Sequence, residues 1–201
     1  MDGPAARIGV LGGSFNPPHL GHLVIASDAW AQLGLDRVLF VPAADPPHKR
    51  LAGGLPVAAR VRMVAAAIVG DARFALSTVE VHDGLRYTVD TVAALRRELP
   101  TAELWFIVGS DSLLALHTWH APAQLLSLCR LAVAPRPGDD GRAIAAAAKE
   151  WGDAIVILDS VQVDLSSTEV RRRVARGDPI RYLVPEAVEA IIAHEGWYRS
   201  R

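Results

Sequence analysis

The chain contains one cysteine, Cys129, among 201 residues and carries a formal net charge of −1. One cysteine excludes an internal disulfide and favours a reducing cytoplasm. The near-zero charge supplies no overall basic field, which argues against nucleic-acid binding as the main task. The first residues lack the form of a signal peptide, and no apolar run approaches membrane-spanning length. We therefore expect a cytoplasmic protein that binds neither membranes nor nucleic acids.

Several common functional motifs are missing as well. The sequence has no H-E-x-x-H pattern, and no third ligand stands close to His19 and His22, so a zinc site is only a minor alternative. The glycine-rich stretch near the N-terminus is not G-x-G-x-x-G and lacks the Gly-Lys-Ser/Thr of a P-loop. Asn16 stands where a G-x-S-x-G elbow needs glycine, so Ser14 is not expected to be an acyl nucleophile. No carboxylate cluster predicts a dedicated metal cage.

Short apolar runs alternate with amphipathic segments along most of the chain. The runs are typical of buried parallel strands and lie at residues 8–11, 38–41, 104–108, 131–134 and 154–158. Residues 74–81 alternate more and are predicted as a strand with one less buried face. The other segments predict helices at 20–33, 57–69, 88–99 and 122–128 and a surface helix at 143–148. The chain from Ser166 onward is also predicted to be helical. Its last helix is expected to begin at Pro185 and to end at Gly196.

Alternating strands and helices predict an α/β fold, a Rossmann-like doubly wound parallel sheet with helices on both faces. The length suits a single domain over residues 1–201, with the helical C-terminal part, about 166–201, packed on it. Such sheets bind ligands beyond the carboxyl ends of their strands, near the topological switch point. We therefore expect the functional residues to follow strand ends.

The stretch G-G-S-F-N-P-P-H-L-G-H at residues 12–22 directly follows the first predicted strand. A glycine turn that leads into a helix start favours an anion, because backbone N–H groups and the positive end of the helix both face it. His19 and His22 lie on one face of that first turn, so their ring N–H groups could donate to phosphate oxygens. This pattern indicates a nucleotide site for phosphoryl chemistry. The glycine pair alone is equally typical of a simple turn, since glycine tolerates a positive φ.

A second candidate phosphate site is the stretch L-S-S-T-E-V-R at residues 165–171. Ser166 and Glu169 fit a capping box, which predicts a helix start. Arg171 follows Ser167 by four residues and Thr168 by three, so the three side chains share one face of the first turn. Hydroxyls, helix N–H groups and a guanidinium at one helix end suit a polyphosphate. The alternative is that the hydroxyls only cap the helix; Arg172 and Arg173 are expected to face solvent.

Together these two stretches closely resemble the nucleotidyltransferase superfamily with an H-x-G-H signature. Within it, the chain is similar to bacterial nicotinate mononucleotide adenylyltransferases. The resemblance covers about residues 7–198 in order and spacing, and its other segments are V-P-A-A-D-P-P-H-K at 41–49, Y-T at 87–88, I-V-G-S-D-S-L at 107–113, T-W at 118–119 and R-P-G at 136–138.

The resemblance implies transfer of the adenylyl group of ATP to nicotinate mononucleotide by direct in-line attack. The products would be nicotinate adenine dinucleotide (deamido-NAD) and pyrophosphate, in NAD biosynthesis. Mg²⁺ would arrive with ATP, and the sequence is also compatible with a homo-oligomer. The implied catalytic residues are His19, His22 and Arg171.

The implied ATP contacts are Gly12, Gly13, Ser14, Phe15, Gly109, Asp111, Arg136, Ser166, Ser167 and Thr168. The implied mononucleotide contacts are Asn16, Lys49, Thr88 and Trp119, and Asp111 belongs to this set too. Each acceptor-side residue has a structural alternative: Trp119 in the core, Thr88 and Asp111 as helix caps, and Lys49 in solvent.

Two rival functions stay open. Nicotinamide mononucleotide differs from the nicotinate form only by an amide in place of a carboxylate, and a site built of N–H donors would prefer the carboxylate by roughly 1 kcal/mol per bond. A non-catalytic nucleotide-binding module is the second rival, against which the intact His19, His22 and Arg171 argue. The chain departs from the usual family pattern at Ser14, at Asn16 and at Arg86.

Overall fold

The computed structural model describes residues 5–44 and 55–199. In this part of the chain, six strands form one sheet in the order β3-β2-β1-β4-β5-β6, and every neighbouring pair is parallel. The strands are β1 (Arg7–Gly13), β2 (Arg37–Pro42), β3 (Phe74–Leu76), β4 (Glu103–Gly109), β5 (Arg130–Ala134) and β6 (Ile155–Ile157).

The helices follow the strands in regular alternation. They are α1 (Leu20–Leu33), α2 (Val57–Ile68), α3 (Val79–Asp83), α4 (Thr88–Glu98), α5 (Ser110–Leu114), α6 (Pro122–Leu128), α7 (Gly141–Glu150), α8 (Ser167–Arg176) and α9 (Glu186–Glu195). None of the helices in the described residues is long and apolar enough to cross a membrane.

Hydrophobic side chains alternate between the two faces of the sheet, as the period of a strand requires. In β4, Leu104, Phe106 and Val108 belong to one core cluster, and Trp105 and Ile107 belong to another. Helix α4 contributes to the first cluster, and helices α1 and α2 contribute to the second. The predicted doubly wound α/β sheet with helices on both faces is therefore confirmed.

The C-terminal helices pack on α2 rather than on the sheet. Val170 of α8 and Val188 and Ile192 of α9 form a third buried cluster with Met63 of α2. The last helix begins after Pro185 and ends at Gly196, whose φ of 70° is left-handed, as the sequence predicts. This packing brings the start of α8 beside the start of α1.

The strand order reverses beside β1. The chain runs outward from β1 to β2 and β3, and then returns to place β4 on the opposite side of β1. A reversal of this kind leaves a crevice at the carboxyl ends of the two central strands, where such sheets bind ligands. Gly13 and Gly109 end the two strands that flank this crevice.

The predicted strand over residues 74–81 is wrong in its second half. The strand β3 ends at Leu76, and helix α3 begins at Val79. The carbonyl of Thr78 accepts hydrogen bonds from the backbone N–H groups of two residues three and four positions on, which is a helical pattern. A short alternating pattern does not distinguish a strand from a single helical turn. In the helical turn formed here, the Glu80 carboxylate accepts a 2.8 Å hydrogen bond from Thr91 Oγ1.

Candidate active site

The loop between β1 and α1 leaves the sheet through Gly12 and Gly13, which are the last residues of the strand. Neither glycine has a positive φ; the left-handed residue is the buried Phe15, with φ of 44°. A Cβ at Gly12 would lie 3.0 Å from the Phe106 ring, so close packing explains this glycine. The interpretation of the pair as a turn that needs a positive φ is therefore wrong.

His19 and His22 stack on each other at the start of α1. Their ring centroids are 3.7 Å apart with the ring planes tilted by 35°, and the Phe15 and His22 centroids are 5.0 Å apart in an edge-to-face arrangement. The backbone N–H of His19 donates to Nδ1 of His22 at 3.1 Å. Because Nδ1 accepts, a neutral His22 ring carries its proton on Nε2, which makes Nε2–H the available donor.

Gly21 explains why a glycine separates the two histidines. A Cβ at this position would lie 3.1 Å from both Cε1 and Nδ1 of His19, so the His19 ring rests directly on the first turn of α1. Within the described residues, the buried Nδ1 of His19 has no hydrogen-bond partner.

Both histidines are neutral at neutral pH. Burial lowers the pKa of His19 from 6.5 to about 4, and the nearby charge of Arg136 adds to this effect. Burial also lowers the pKa of His22 well below 6.5, helped by charge repulsion from His19 and Arg136 and opposed by the backbone hydrogen bond. The pair therefore offers hydrogen-bond donors rather than cations to an incoming anion.

The start of α8 is joined to the β1–α1 loop by side chains. Ser167 Oγ donates to the carbonyl of Pro17 at 2.8 Å, and Arg171 Nη1 donates to the carbonyl of Asn16 at 2.7 Å. The other Arg171 nitrogen, Nη2, donates to Thr168 Oγ1 at 3.0 Å. The two stretches singled out in the sequence, near opposite ends of the chain, therefore lie side by side.

Ser166 and Glu169 have different roles at the start of α8. Ser166 caps the helix by accepting the backbone N–H of Glu169 at 3.2 Å, which is half of the predicted capping box. The Glu169 carboxylate instead binds Arg172 at 2.8 Å and Arg173 at 2.9 Å, and these bonds lower its pKa to about 2. Those two arginines are thus engaged away from the β1–α1 loop, as the sequence predicts.

A cavity of about 350 Å³ opens between the histidine pair and the α8 start. Helix α1, the segment after β5 and the segment before α8 form its walls. Its lining residues are His19, Gly21, His22, Ile25, Pro135, Arg136, Pro137, Val161, Val163, Asp164, Leu165, Ser166 and Ser167.

Arg136 lies at the rim of this cavity beside the end of β4. Its Nη1 is 3.4 Å from Asp111 Oδ2, and both side chains are largely exposed. A Cβ at Gly109 would lie 2.6 Å from Asp111 Oδ1 and 3.2 Å from Arg136 Nη2, so both side chains lie close over this glycine. Asp111 is the second residue of α5, whose N-cap is Gly109, so the alternative of Asp111 as a helix cap is wrong.

The predicted acceptor residues lie on the α4 side of the sheet. Thr88 is the first residue of α4, and the N-cap is Tyr87, so the alternative of Thr88 as the cap is wrong. Trp119 is half-buried against the core cluster on that face. The rings of Tyr87 and His120 stack at 4.2 Å, which joins the Y-T and T-W segments.

Asn16 and Lys49 differ from the other predicted contacts. Asn16 is 3 % exposed, and its Oδ1 accepts a 2.7 Å hydrogen bond from Tyr198 Oη, so its side chain faces the protein interior. Ser14 is exposed, and its backbone carbonyl points to Arg60. Lys49 lies outside the described residues.

Sequence reasoning missed Gly21, Arg60 and Tyr198. Arg60 is fully buried on α2, where it donates 2.8 and 2.7 Å hydrogen bonds to the carbonyls of Ser14 and Ala43. One signal was available for it: Arg60 stands three and four residues before the buried Met63 and Val64, on the apolar face of the helix. The Tyr198 contact joins residues 182 positions apart, and no local pattern reveals it.

A family model described as cytidylyltransferase-like matches residues 10–173. The chain belongs to this family. A probable nicotinate-nucleotide adenylyltransferase of Trichlorobacter lovleyi is 42% identical over 96% of this chain and 99% of its own length. A probable nicotinate-nucleotide adenylyltransferase of Thermomicrobium roseum is 43% identical over 97% of this chain and 92% of its own. The resemblance inferred from the sequence is therefore confirmed.

Solved structures of the family share the fold. The Plasmodium falciparum nicotinic acid mononucleotide adenylyltransferase complexed with NaAD superposes with a TM-score of 0.78. The alignment covers 96% of this chain and 97% of that one at 17% sequence identity. The likeness at this identity supports the Rossmann-like architecture of the sheet.

Proposed function

We propose that this protein is a nicotinate-nucleotide adenylyltransferase. It transfers the adenylyl group of ATP to nicotinate mononucleotide, and it releases pyrophosphate and nicotinate adenine dinucleotide for NAD biosynthesis in the cytoplasm. The observation that carries this proposal is the meeting of the His19–His22 pair and the α8 start on one cavity beside the reversal of strand order. The names of relatives over 40% identical along nearly the whole chain support the same reaction.

The histidine pair would bind the ATP phosphates with neutral donors. His22 Nε2–H is suited to charge that develops on the α-phosphate, because its ring is fixed by the hydrogen bond at Nδ1 and by stacking on His19. A donor that is already oriented needs no reorganisation as the reaction proceeds, and one such donor typically contributes about 10²-fold to 10³-fold in rate. Gly12, Gly13 and Phe15 would shape the backbone beneath these phosphates.

The start of α8 would hold the β- and γ-phosphates. The N-terminal N–H groups of a helix attract anions, and Ser166, Ser167 and Thr168 add hydroxyls at that end. Arg171 adds a permanent positive charge at the junction with the β1–α1 loop. The same residues would stabilise the leaving pyrophosphate.

The chain needs no general base for this reaction. The second pKa of a phosphate monoester is about 6, so the attacking phosphate of the mononucleotide is already largely ionised at neutral pH. Catalysis then consists of alignment and charge neutralisation. The neutral histidines fit this scheme, since neither has to accept a proton.

A divalent cation, Mg²⁺, would accompany ATP and neutralise part of its charge. Within the described residues, no group of three or more His, Cys, Asp or Glu side chains could hold a metal ion by itself. Mg²⁺ commonly keeps several waters and binds through substrate phosphates and one or two carboxylates. Asp164 is the carboxylate that lines the cavity, so it fits this pattern of partial protein coordination.

The acceptor would lie between α4 and the T-W segment. The side chain of Tyr87, the N-cap residue of α4, makes no capping hydrogen bond. Open N–H groups at the N-terminus of this helix would favour the carboxylate of nicotinate over the amide of nicotinamide. Trp119 would stack on the pyridine ring, with Thr88, Asp111 and Lys49 completing the site and Gly109 and Arg136 on its ATP side.

The test measures dinucleotide formation from Mg-ATP with nicotinate mononucleotide and with nicotinamide mononucleotide as separate acceptors. A clearly higher kcat/KM for the nicotinate form is the expected result. An equal or reversed preference would contradict the acceptor assignment and leave the adenylyl transfer intact. Binding of ATP without product from either acceptor would contradict the proposed reaction.

A further inference from the structure

We propose that Arg60 is a positioning residue that sets the separation between the two loops carrying the two substrates. This inference rests on the proposed function, in which the β1–α1 loop binds ATP and Lys49, which follows β2 in the sequence, contacts the acceptor. Arg60 touches neither substrate in this scheme. It acts through the backbone of both loops.

The two guanidinium bonds of Arg60 continue the sheet beyond its last strand residues. The backbone N–H of Ala43 donates to the carbonyl of Gly13 at 2.8 Å, and this is the last pairing between the β1 and β2 segments that the described residues make. Just beyond this bond, Arg60 Nη1 donates to the carbonyl of Ser14, the residue after Gly13, at 2.8 Å, and Nη2 donates to the carbonyl of Ala43 itself at 2.7 Å. The planar guanidinium therefore spaces the two segments where the ladder has ended.

The charge of Arg60 acts on the carboxyl group of Glu80 in α3. Burial raises the pKa of the Glu80 carboxyl, while hydrogen bonds from Thr91 and the backbone of Ala44 and the charge of Arg60 act in the opposite direction. A change at Arg60 would therefore also alter the electrostatic surroundings of Glu80.

Arg60 stands among apolar side chains on α2. Its neighbours there are the buried residues Ala59, Met63 and Val64. A guanidinium has a distinct use here, because in-line attack depends on geometry, and a misplacement of about 1 Å can cost about 10²-fold in rate.

The experiment compares the double variant Arg60→Met/Glu80→Gln with the wild-type protein. The double change removes the charge of Glu80 together with the Arg60 charge that acts on it. We expect kcat for dinucleotide formation to fall about tenfold to a hundredfold, with the dissociation constant of ATP, measured alone by calorimetry, changed less than about threefold. All assays run well below the melting temperature of each variant, so that the folded fraction is complete.

Arg62→Met is the matched control, because Arg62 lies on the same helix and its exposed side chain binds Glu195 at 2.8 Å. It should keep wild-type kcat.

A double variant that folds and retains wild-type kcat would overturn the positioning role. If the double variant does not fold, Arg60→Lys takes its place. This variant keeps the positive charge but replaces the two nitrogens that bind the two carbonyls by a single nitrogen. A folded Arg60→Lys variant with unchanged kcat would overturn the inference. Absence of turnover in the wild-type protein would instead refute the proposed function.

Discussion

Tyr198 Oη donates a 2.7 Å hydrogen bond to Asn16 Oδ1 and so ties the C-terminal segment to the β1–α1 loop. The carbonyl of the same Asn16 accepts the bond from Arg171 Nη1. Burial raises the pKa of Tyr198, which keeps the phenol protonated as a donor. Asn16 is therefore held through its side chain by the C-terminal segment and through its backbone by α8.

Tyr198→Phe should remove this link and little else. We expect the free energy of unfolding to fall by about 1 to 2 kcal/mol, because a buried acceptor loses a hydrogen bond. Urea titration measures the change. Tyr182→Phe is the matched control, since Tyr182 is 81% exposed and its substitution should alter stability by less than about 0.5 kcal/mol. Equal stability of both variants would show that the Tyr198 bond contributes nothing.

Gly21→Ala should separate activity from stability. Alanine favours a helix over glycine by about 1 kcal/mol, so the fold should not weaken. The new methyl group would displace the His19 ring, which lies 3.1 Å from its position, and kcat should fall. Gly141→Ala, at an open position at the start of α7, is the control for alanine in a first helical turn. Full activity of Gly21→Ala would mean that the His19 ring is not needed where it lies.

Local patterns were sufficient to predict the strands at 8–11 and 104–108 and both candidate phosphate stretches. Each depends on apolar runs, caps and helix starts that a short window contains. Arg60 and Tyr198 could not be assigned in this way, because their partners are distant in sequence and the sheet must form before they meet. The prediction of a strand at residues 79–81 failed for a related reason. The helical structure there depends on the contacts of Glu80 with residues distant in sequence, such as Thr91 of α4.

His22→Ala should lower kcat by about 10²-fold or more, the scale for losing one oriented donor in the transition state. The half-buried ring packs on Phe15 and His19, so far-ultraviolet circular dichroism should accompany the kinetics to show that the fold persists. His194→Ala, on the exposed side of α9, provides the control. Turnover at the wild-type rate in a folded His22→Ala would remove His22 from the mechanism.

Stability should depend on pH through His19. In the unfolded chain the His19 side chain has its ordinary pKa of 6.5, whereas in the folded protein burial lowers this pKa to about 4. The contribution of His19 is therefore complete above pH 6.5 and is lost as the pH falls through this window, by about 3 kcal/mol at most. Urea titrations of the wild-type protein and His19→Gln at several pH values measure it. The variant should show a shallower decline; parallel curves would contradict the lowered pKa.

The central claim is that the adenylyl group, and not the terminal phosphate, moves from ATP to the mononucleotide. The most direct measurement follows the fate of label from ATP carrying ³²P at the α-phosphate or at the γ-phosphate, with nicotinate mononucleotide as acceptor. The account predicts α-label in the dinucleotide and γ-label in pyrophosphate. Transfer of γ-label to the acceptor, or retention of both labels in ATP, would contradict it.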